Sequence, residues 1–344
     1  MEKVRKSNLD IARGIAIICI ILGHLGIDSV NRVVFTFHVP VFYLIAGYFF
    51  NSNAGVPEFL KKKARSLLVP YYLTCLAIIG TSVFRNLILH KGGTVKKLLD
   101  LLYAALYGAG DKYVEPFYIP SIGAIWFLWA MFWAECLLYL VLKVNSKWRV
   151  LIVAAIFAAG YYSRMLFWFP LSIQAGCCAL LFLYIGYLVR KTEASYNKLG
   201  KEIKIALAIG AAVVWFLFIR NFVSFWLVHC DIGRGVIDIF GSLCACWCVV
   251  LISTLIDLRA KLLSGYLAFL GKYSLFILCA HIFEIRLFRW KQFREFLGGF
   301  GVNEFWQIII VIIIKIIWSS SVAYQLANNE HICKLVGIKK HEQK

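Results

Sequence analysis

Runs of about twenty apolar residues, each closed by polar or basic clusters, recur along the whole 344-residue chain. A helix that crosses the hydrocarbon core of a bilayer needs ~20 mostly apolar residues, within a range of about 17–25. Ten segments satisfy this: approximately 9–27, 33–50, 65–84, 122–142, 149–167, 171–189, 203–222, 236–256, 266–285 and 305–325. The longest connection, 85–121, holds VKKLLDLLYAALYG, an amphipathic stretch suited to the membrane interface. No repeat with a period of about 20–50 residues is evident. The pattern predicts an all-α fold, a polytopic membrane helix bundle of about ten transmembrane helices, forming one membrane-embedded domain over 1–344.

Composition agrees. The chain is 61% hydrophobic and 16% charged, with a mean hydropathy of +0.77, whereas soluble domains carry about a quarter charged residues. The net charge of +19 does not indicate nucleic acid, because the basic residues are scattered between apolar runs rather than gathered on one face. They follow the excess of Lys and Arg in cytoplasmic loops. With ten spans, 21 of the 37 Lys and Arg fall on the side of the N-terminus, 13 on the opposite side and three within spans. Both termini are therefore expected in the cytoplasm. The basic MEKVRKSN start precedes an apolar stretch without a small-residue cleavage pattern, so the first span is expected to be retained. Most of the eleven cysteines lie inside apolar runs, where Cys behaves as a small hydrophobe. CACWC (244–248) turns successive thiols apart by ~200° on a helix, and no metal site is expected there.

Ionisable residues inside spans are costly and are functional candidates by default. The first span carries Asp10, Arg13 and His24. Asp10 and Arg13, three apart, can pair on one helix face; the alternative is that Arg13 snorkels to headgroups. Eleven residues turn through about three turns plus ~20°, so Arg13 and His24 share a face, ~16 Å apart along the axis. His38 lies in the second span at a depth comparable to His24, just before Pro40; it reads either as a site residue or as a core histidine bonded to a carbonyl. Lys62 and Arg65 stand at the mouth of the third span, ready to meet lipid phosphate or a soluble polyphosphate. Trp126 and Glu135 sit in the aromatic helix AIWFLWAMFWAE, and Lys272, His281 and Glu284 in or near the ninth span. The basic, aromatic RLFRWKQFR after it reads as an interfacial anchor.

Five stretches together resemble acyltransferase family 3, bacterial integral-membrane enzymes that O-acylate sugars and other acceptors, and within it the branch related to fucose 4-O-acetylases. They are LDIARGIAIICIILGH, FHVPVFYLIAGYFF, FLKKKARSLLVPYY, IGAIWFLWAMFWAE with LLFLYIGYLVRK, and LGKYSLFILCAHIF. The family's R/K-x(10)-H pattern falls on Arg13 and His24. The resemblance implies residence in the bacterial plasma (inner) membrane and transfer of an acyl group, usually acetyl, from cytoplasmic acyl-CoA to a carbohydrate acceptor, a glycan or lipid-linked glycan, at the outer face. It implies His24 as the catalytic histidine, Arg13 as a donor-orienting residue, and Lys62 and Arg65 as contacts to CoA. Asp10, His38, Trp126, Glu135 and His281 are supporting or acceptor-side candidates. Acyl-CoA is a co-substrate; no bound cofactor or metal is implied. One departure concerns an Asp that relatives often carry after the Pro opening the sixth span, where this chain has Gln174. No hydrolase-like C-terminal extension is recognised, so acceptor choice is expected to reside in spans and loops.

Neutral imidazole suits the chemistry, since its reference pKa of ~6.5 lets it take an alcohol proton near neutrality. Direct attack by the acceptor hydroxyl and an acyl-imidazole relay on His24 both remain open. The rival readings are a transporter of a glycan or small solute, a haem protein using His24, His38 and His281, and a partner-binding membrane subunit.

Overall fold

The computed structural model describes residues 6–90 and 92–338. Lys3, Arg5, Lys91, Lys339, Lys340 and Lys344, which entered the orientation count, lie outside the described residues. Among the described residues the architecture is helical, with two isolated antiparallel bridges, Tyr113 with Ile119 and Trp226 with Asp231.

All ten apolar segments are helical, but not all as single long rods. The first is α1 (Ser7–Gly23). The second is divided into α2 (Asp28–Val34) and α3 (Pro40–Tyr48), separated by turns over 35–39. Pro40 has no N–H to donate, so the helical ladder cannot pass through it. Side chains bond beside the break. Thr36 donates to the Val33 carbonyl at 2.6 Å, and Trp215 Nε1 donates to Thr36 Oγ1 at 2.9 Å.

The third segment begins earlier than the sequence suggests, as α4 (Val56–Lys63), and runs through a π-helical turn, Ala64–Leu68, into α5 (Val69–Ile88). The wider turn lies just ahead of Pro70, whose ring would crowd a regular α ladder. Next come α6 (Thr94–Tyr107), the amphipathic stretch, then α7 (Trp126–Lys143) and α8 (Ser146–Ser163). After them run α9 (Ile173–Asn197), α10 (Lys201–Arg220) and α11 (Val236–Arg259). The ninth segment is split at Tyr273 into α12 (Lys261–Lys272) and α13 (Ser274–Leu287). The basic, aromatic stretch forms α14 (Trp290–Gly299), followed by α15 (Glu304–Asn328) and α16 (Glu330–Val336). Helices α8, α15 and α16 start at Asn145, Asn303 and Asn329, whose side chains accept a backbone N–H of the first turn.

Among the described residues six helical stretches are long and apolar enough to cross a membrane, and a seventh if α12 and α13 count as one span. The protein is thus built as a polytopic, all-helical membrane protein. The remaining predicted spans are the 17-residue α1, the divided α2–α3, and α8.

The chain divides into two compact units. The first comprises Met1–Gly55, Trp133–Leu166 and Gln174–Ser274; the second comprises Val56–Phe132, Phe167–Ile173 and Leu275–Lys344. In the first unit, backbones meet at two glycine crossings. A Cβ on Gly14 would lie 2.1 Å from the Leu267 carbonyl oxygen, and one on Gly271 would lie 1.7 Å from that of Asp10. Between α3 and α9, a Cβ on Gly47 would lie 1.8 Å from the Leu183 oxygen and one on Gly186 would lie 2.0 Å from that of Leu44. Small residues at such contacts are how membrane helices approach closely. Cys244 and Cys248 of α11 pack against Val214 and Trp215 of α10, while Cys246 turns toward the Phe37 carbonyl.

Candidate active site

His24 follows the last residue of α1, with φ −84° and ψ 4°. The chain leaves the helix there, helped by Gly26 at φ +71°. The His24 Nδ1 lies 2.8 Å from the Ile20 carbonyl oxygen. A carbonyl only accepts, so the neutral ring must carry its proton on Nδ1, which makes Nε2 the basic nitrogen. His38 repeats the arrangement, with Nδ1 2.7 Å from the Val34 carbonyl. The two imidazoles are close enough to interact electrostatically. Phe35 lies against both turns: it faces Gly23, and its ring centroid is 4.9 Å from that of His38. On another side Phe35 meets Trp226 edge-on at 5.4 Å, and Trp226 stacks on His229. The loop between α10 and α11 is therefore at the His24 end of α1.

Arg13 lies toward the opposite end of α1. Its guanidinium is 3.6 Å from the Asp10 carboxylate, the i, i+3 pair anticipated from spacing, and 5.8 Å from the Phe49 ring centroid. The helix is continuous from Ser7 to Gly23. The phase relation that puts Arg13 on the His24 side therefore holds through position 23, and His24 itself steps out of helical geometry. At this same end Asn8 donates to Thr254 at 3.0 Å, and Ser7 donates to Asp257 at 3.0 Å. So α1 and α11 run antiparallel.

A polar cluster that sequence reasoning missed surrounds Tyr48. The Tyr48 hydroxyl donates to Glu193 at 2.5 Å and accepts from Arg190 at 3.1 Å. Lys6 pairs with the other oxygen of Glu193. The Lys6 and Arg190 cations each stand 5.0 Å from the Tyr48 ring centroid. Burial works against the Lys6 ammonium, but its hydrogen bonds to Glu193 and Tyr48 outweigh this and raise its pKa above the ordinary lysine value. The one available signal was the placement of Arg190 directly after LLFLYIGYLV, which reads as an ordinary basic flank.

Glu135 of α7 and Gln174 of α9 are also buried in the first unit. The first unit thus holds Asp10, Arg13, His24, His38 and Glu135. The second holds Lys62, Arg65, Trp126 and His281.

In the second unit Lys62 is exposed on α4, and Arg65 lies in the π turn. The Arg65 guanidinium donates to the Leu335 carbonyl at 3.0 Å and to that of Lys334, at the end of α16. Trp126, buried, opens α7, and its N–H bonds the Gly123 carbonyl at 3.1 Å. His281 is fully buried, with Nδ1 2.9 Å from Glu284. Glu284 also accepts from Lys315 at 2.6 Å and from Trp290 Nε1 at 2.6 Å. Lys315 stands 4.4 Å from the Trp290 ring centroid. Both partners were visible as charges inside spans; their pairing was not. No group of three or more His, Cys, Asp or Glu among the described residues is arranged to hold a metal ion.

The model of one protein family, described as an acyltransferase domain, matches residues 6–324. The chain is also similar to the nodulation protein NolL of Sinorhizobium fredii, with 27% identity over 172 residues. That alignment covers 45% of this chain and 42% of the relative. No solved structure matches.

Proposed function

The chain belongs to the acyltransferase domain family, and on that premise we propose that it is a membrane O-acyltransferase moving an acyl group, acetyl by preference, from cytoplasmic acyl-CoA to a sugar hydroxyl. The acceptor is a cell-surface glycan or its lipid-linked precursor. In this reading ten helical segments cross the bacterial inner membrane with both termini cytoplasmic. The Arg13 end of α1 then faces the cytoplasm, and His24 faces outward.

The observation that carries the proposal is the Nδ1 contact of His24 with Ile20. It holds the ring as the tautomer whose Nε2 can accept a proton. The acceptor oxygen attacks the thioester carbonyl carbon while Nε2 takes the hydroxyl proton. The new C–O ester bond forms, the C–S bond breaks, and the proton returns to the departing CoA thiolate, so the products are ester and CoA thiol. Arg13 at the near end of α1 holds the anionic donor; in the second unit Lys62 and Arg65 are themselves cations of the sign that suits CoA. A pantetheine arm laid along α1 spans the ~16 Å between Arg13 and the imidazole.

The test is transfer of radiolabelled acetyl from acetyl-CoA to the envelope glycan in membranes containing wild-type protein or His24→Ala. Label in the wild type and none in a folded variant is expected. Full labelling by His24→Ala would remove His24 from the chemistry, and no labelling by the wild type would remove the acetyl-transfer reading.

A further inference from the structure

Tyr48, Lys6, Arg190 and Glu193 have no role in the reaction just described, yet they gather three charges around one phenol in the first unit. Two cations converge on one phenol ring, each 5.0 Å from its centroid. The phenol hydroxyl and the Lys6 ammonium hold the two oxygens of a single carboxylate, Glu193. Arg190, one turn before Glu193 on α9, reaches the same hydroxyl at 3.1 Å. Two positive charges thus face one negative charge. The side chains of Lys6 and Glu193 each keep 32% of their surface exposed, so water reaches the pair.

A water-exposed ion pair adds little to stability. The arrangement has the features of an anion cradle: an ammonium, a guanidinium fork and a hydroxyl donor directed at one small region. Glu193 lies near the end of α9, four residues before its last residue Asn197, where a side chain can swing into solvent without disturbing the helix. The cradle also adjoins Arg13. The Tyr48 and Phe49 rings are 5.1 Å apart, and Arg13 stands 5.8 Å from Phe49.

We infer that Lys6, Tyr48 and Arg190 form a phosphate-binding subsite for the acyl-CoA donor, which Glu193 fills with its own carboxylate until a donor phosphate displaces it. This rests on the acyltransferase reading above and deepens it. Phosphate brings more acceptor oxygens and more charge than a carboxylate, so it gains from the guanidinium of Arg190, which donates to the Tyr48 hydroxyl. Glu193 thereby acts as a competitor internal to the protein.

The inference predicts opposite signs for two neighbouring substitutions. Purified protein is placed in phosphatidylcholine nanodiscs, and binding of coenzyme A is measured by calorimetry. Arg190→Gln weakens binding about tenfold, the worth of one charge-assisted hydrogen bond. Arg190→Lys restores part of it. Glu193→Gln, which keeps shape and removes charge, tightens binding severalfold; Tyr48→Phe weakens it and is the fallback if Arg190→Gln is unstable. A merely structural cluster would make every substitution weaken binding alongside melting temperature, and that pattern overturns the inference, as does unchanged binding throughout. Phosphatidylglycerol is then added to the discs. If it raises the melting temperature of the wild type but not of Arg190→Gln while coenzyme A binding stays unchanged, the occupant is a lipid headgroup and the donor subsite is refuted. Wild-type protein that binds no coenzyme A overturns the acyltransferase reading and the subsite with it, whereas binding that ignores these substitutions overturns the subsite alone.

Discussion

Lys315 and Glu284 meet at 2.6 Å with side chains 4% and 0% exposed, an ion pair between α15 and α13 sealed from water. The Glu284 carboxylate also holds His281 and Trp290. Removing one member of such a pair strands the other charge in a low-dielectric interior. Lys315→Met alone, or Glu284→Gln alone, should destabilise the protein by about 3–5 kcal/mol, while the double substitution recovers most of that loss. Thermal unfolding of the detergent-solubilised variants checks this. A double variant destabilised by the sum of the two single losses would show that the pair is not coupled.

The glycine crossing of α1 and α12 makes a sharper contrast. A Cβ at Gly271 would meet the Asp10 backbone, whereas one at Gly265 on the same helix would meet nothing within 4 Å. Gly271→Ala should cost about 1–3 kcal/mol by forcing backbones apart. Gly265→Ala should stabilise by about 0.5–1 kcal/mol, because Gly is the poorer helix former. Melting temperatures that move in the same direction for both would contradict the crossing.

His24 gives a chemical prediction. His24→Ala should lower kcat by about 10²–10⁴-fold with little change in KM for the acyl donor. Nitrogen-15 NMR of labelled histidine in the wild type should show an Nδ1–H, Nε2-lone-pair imidazole that disappears in this variant. An Nε2–H signal in its place would mean that the ring faces Ile20 in a different state.

Arg65, proposed above as a cation for the donor, is already engaged within the second unit. Its guanidinium already bonds the carbonyls of Lys334 and Leu335. Arg65→Ala should therefore raise KM for acyl-CoA and also speed proteolysis within 330–336. Lys62→Ala, exposed, should change stability by no more than about 0.5 kcal/mol. A change in KM without faster cleavage of α16 would separate the two roles.

The helical segments were legible because apolar runs of spanning length leave few other options for a backbone in lipid. Where helices break was less legible. The 33–50 segment divides because Pro40 interrupts its ladder, and Trp215 bonds the Thr36 hydroxyl beside the break. Trp215 is remote in sequence, so that contact could not be read from the segment. The start of α4 at Val56 was missed because EFLKKK looks like a loop by charge, yet it continues the helix into the π turn.

The site shows the same division. Asp10, Arg13 and His24 could be related by helical phase, a local property. Lys6 precedes α1, Tyr48 lies in α3 and Arg190 and Glu193 in α9, while Glu284 and Lys315 come from two helices; such clusters depend on packing that spacing does not encode. Arg65 was recognised as basic and placed near a mouth, but its bonds to α16 needed the fold.

The reciprocal crossing of Gly14 and Gly271 has a consequence for substrate choice. With backbone against backbone, α1 has no room to roll or slide along α12. If the donor lies along α1, the helix becomes a gauge whose two marks are the Arg13 guanidinium and the His24 imidazole. A carrier with a shorter arm stops before the second mark, and a longer one overshoots it. Discrimination among thioesters would then be a matter of reach, set by main-chain contact rather than by the shape of any side-chain pocket.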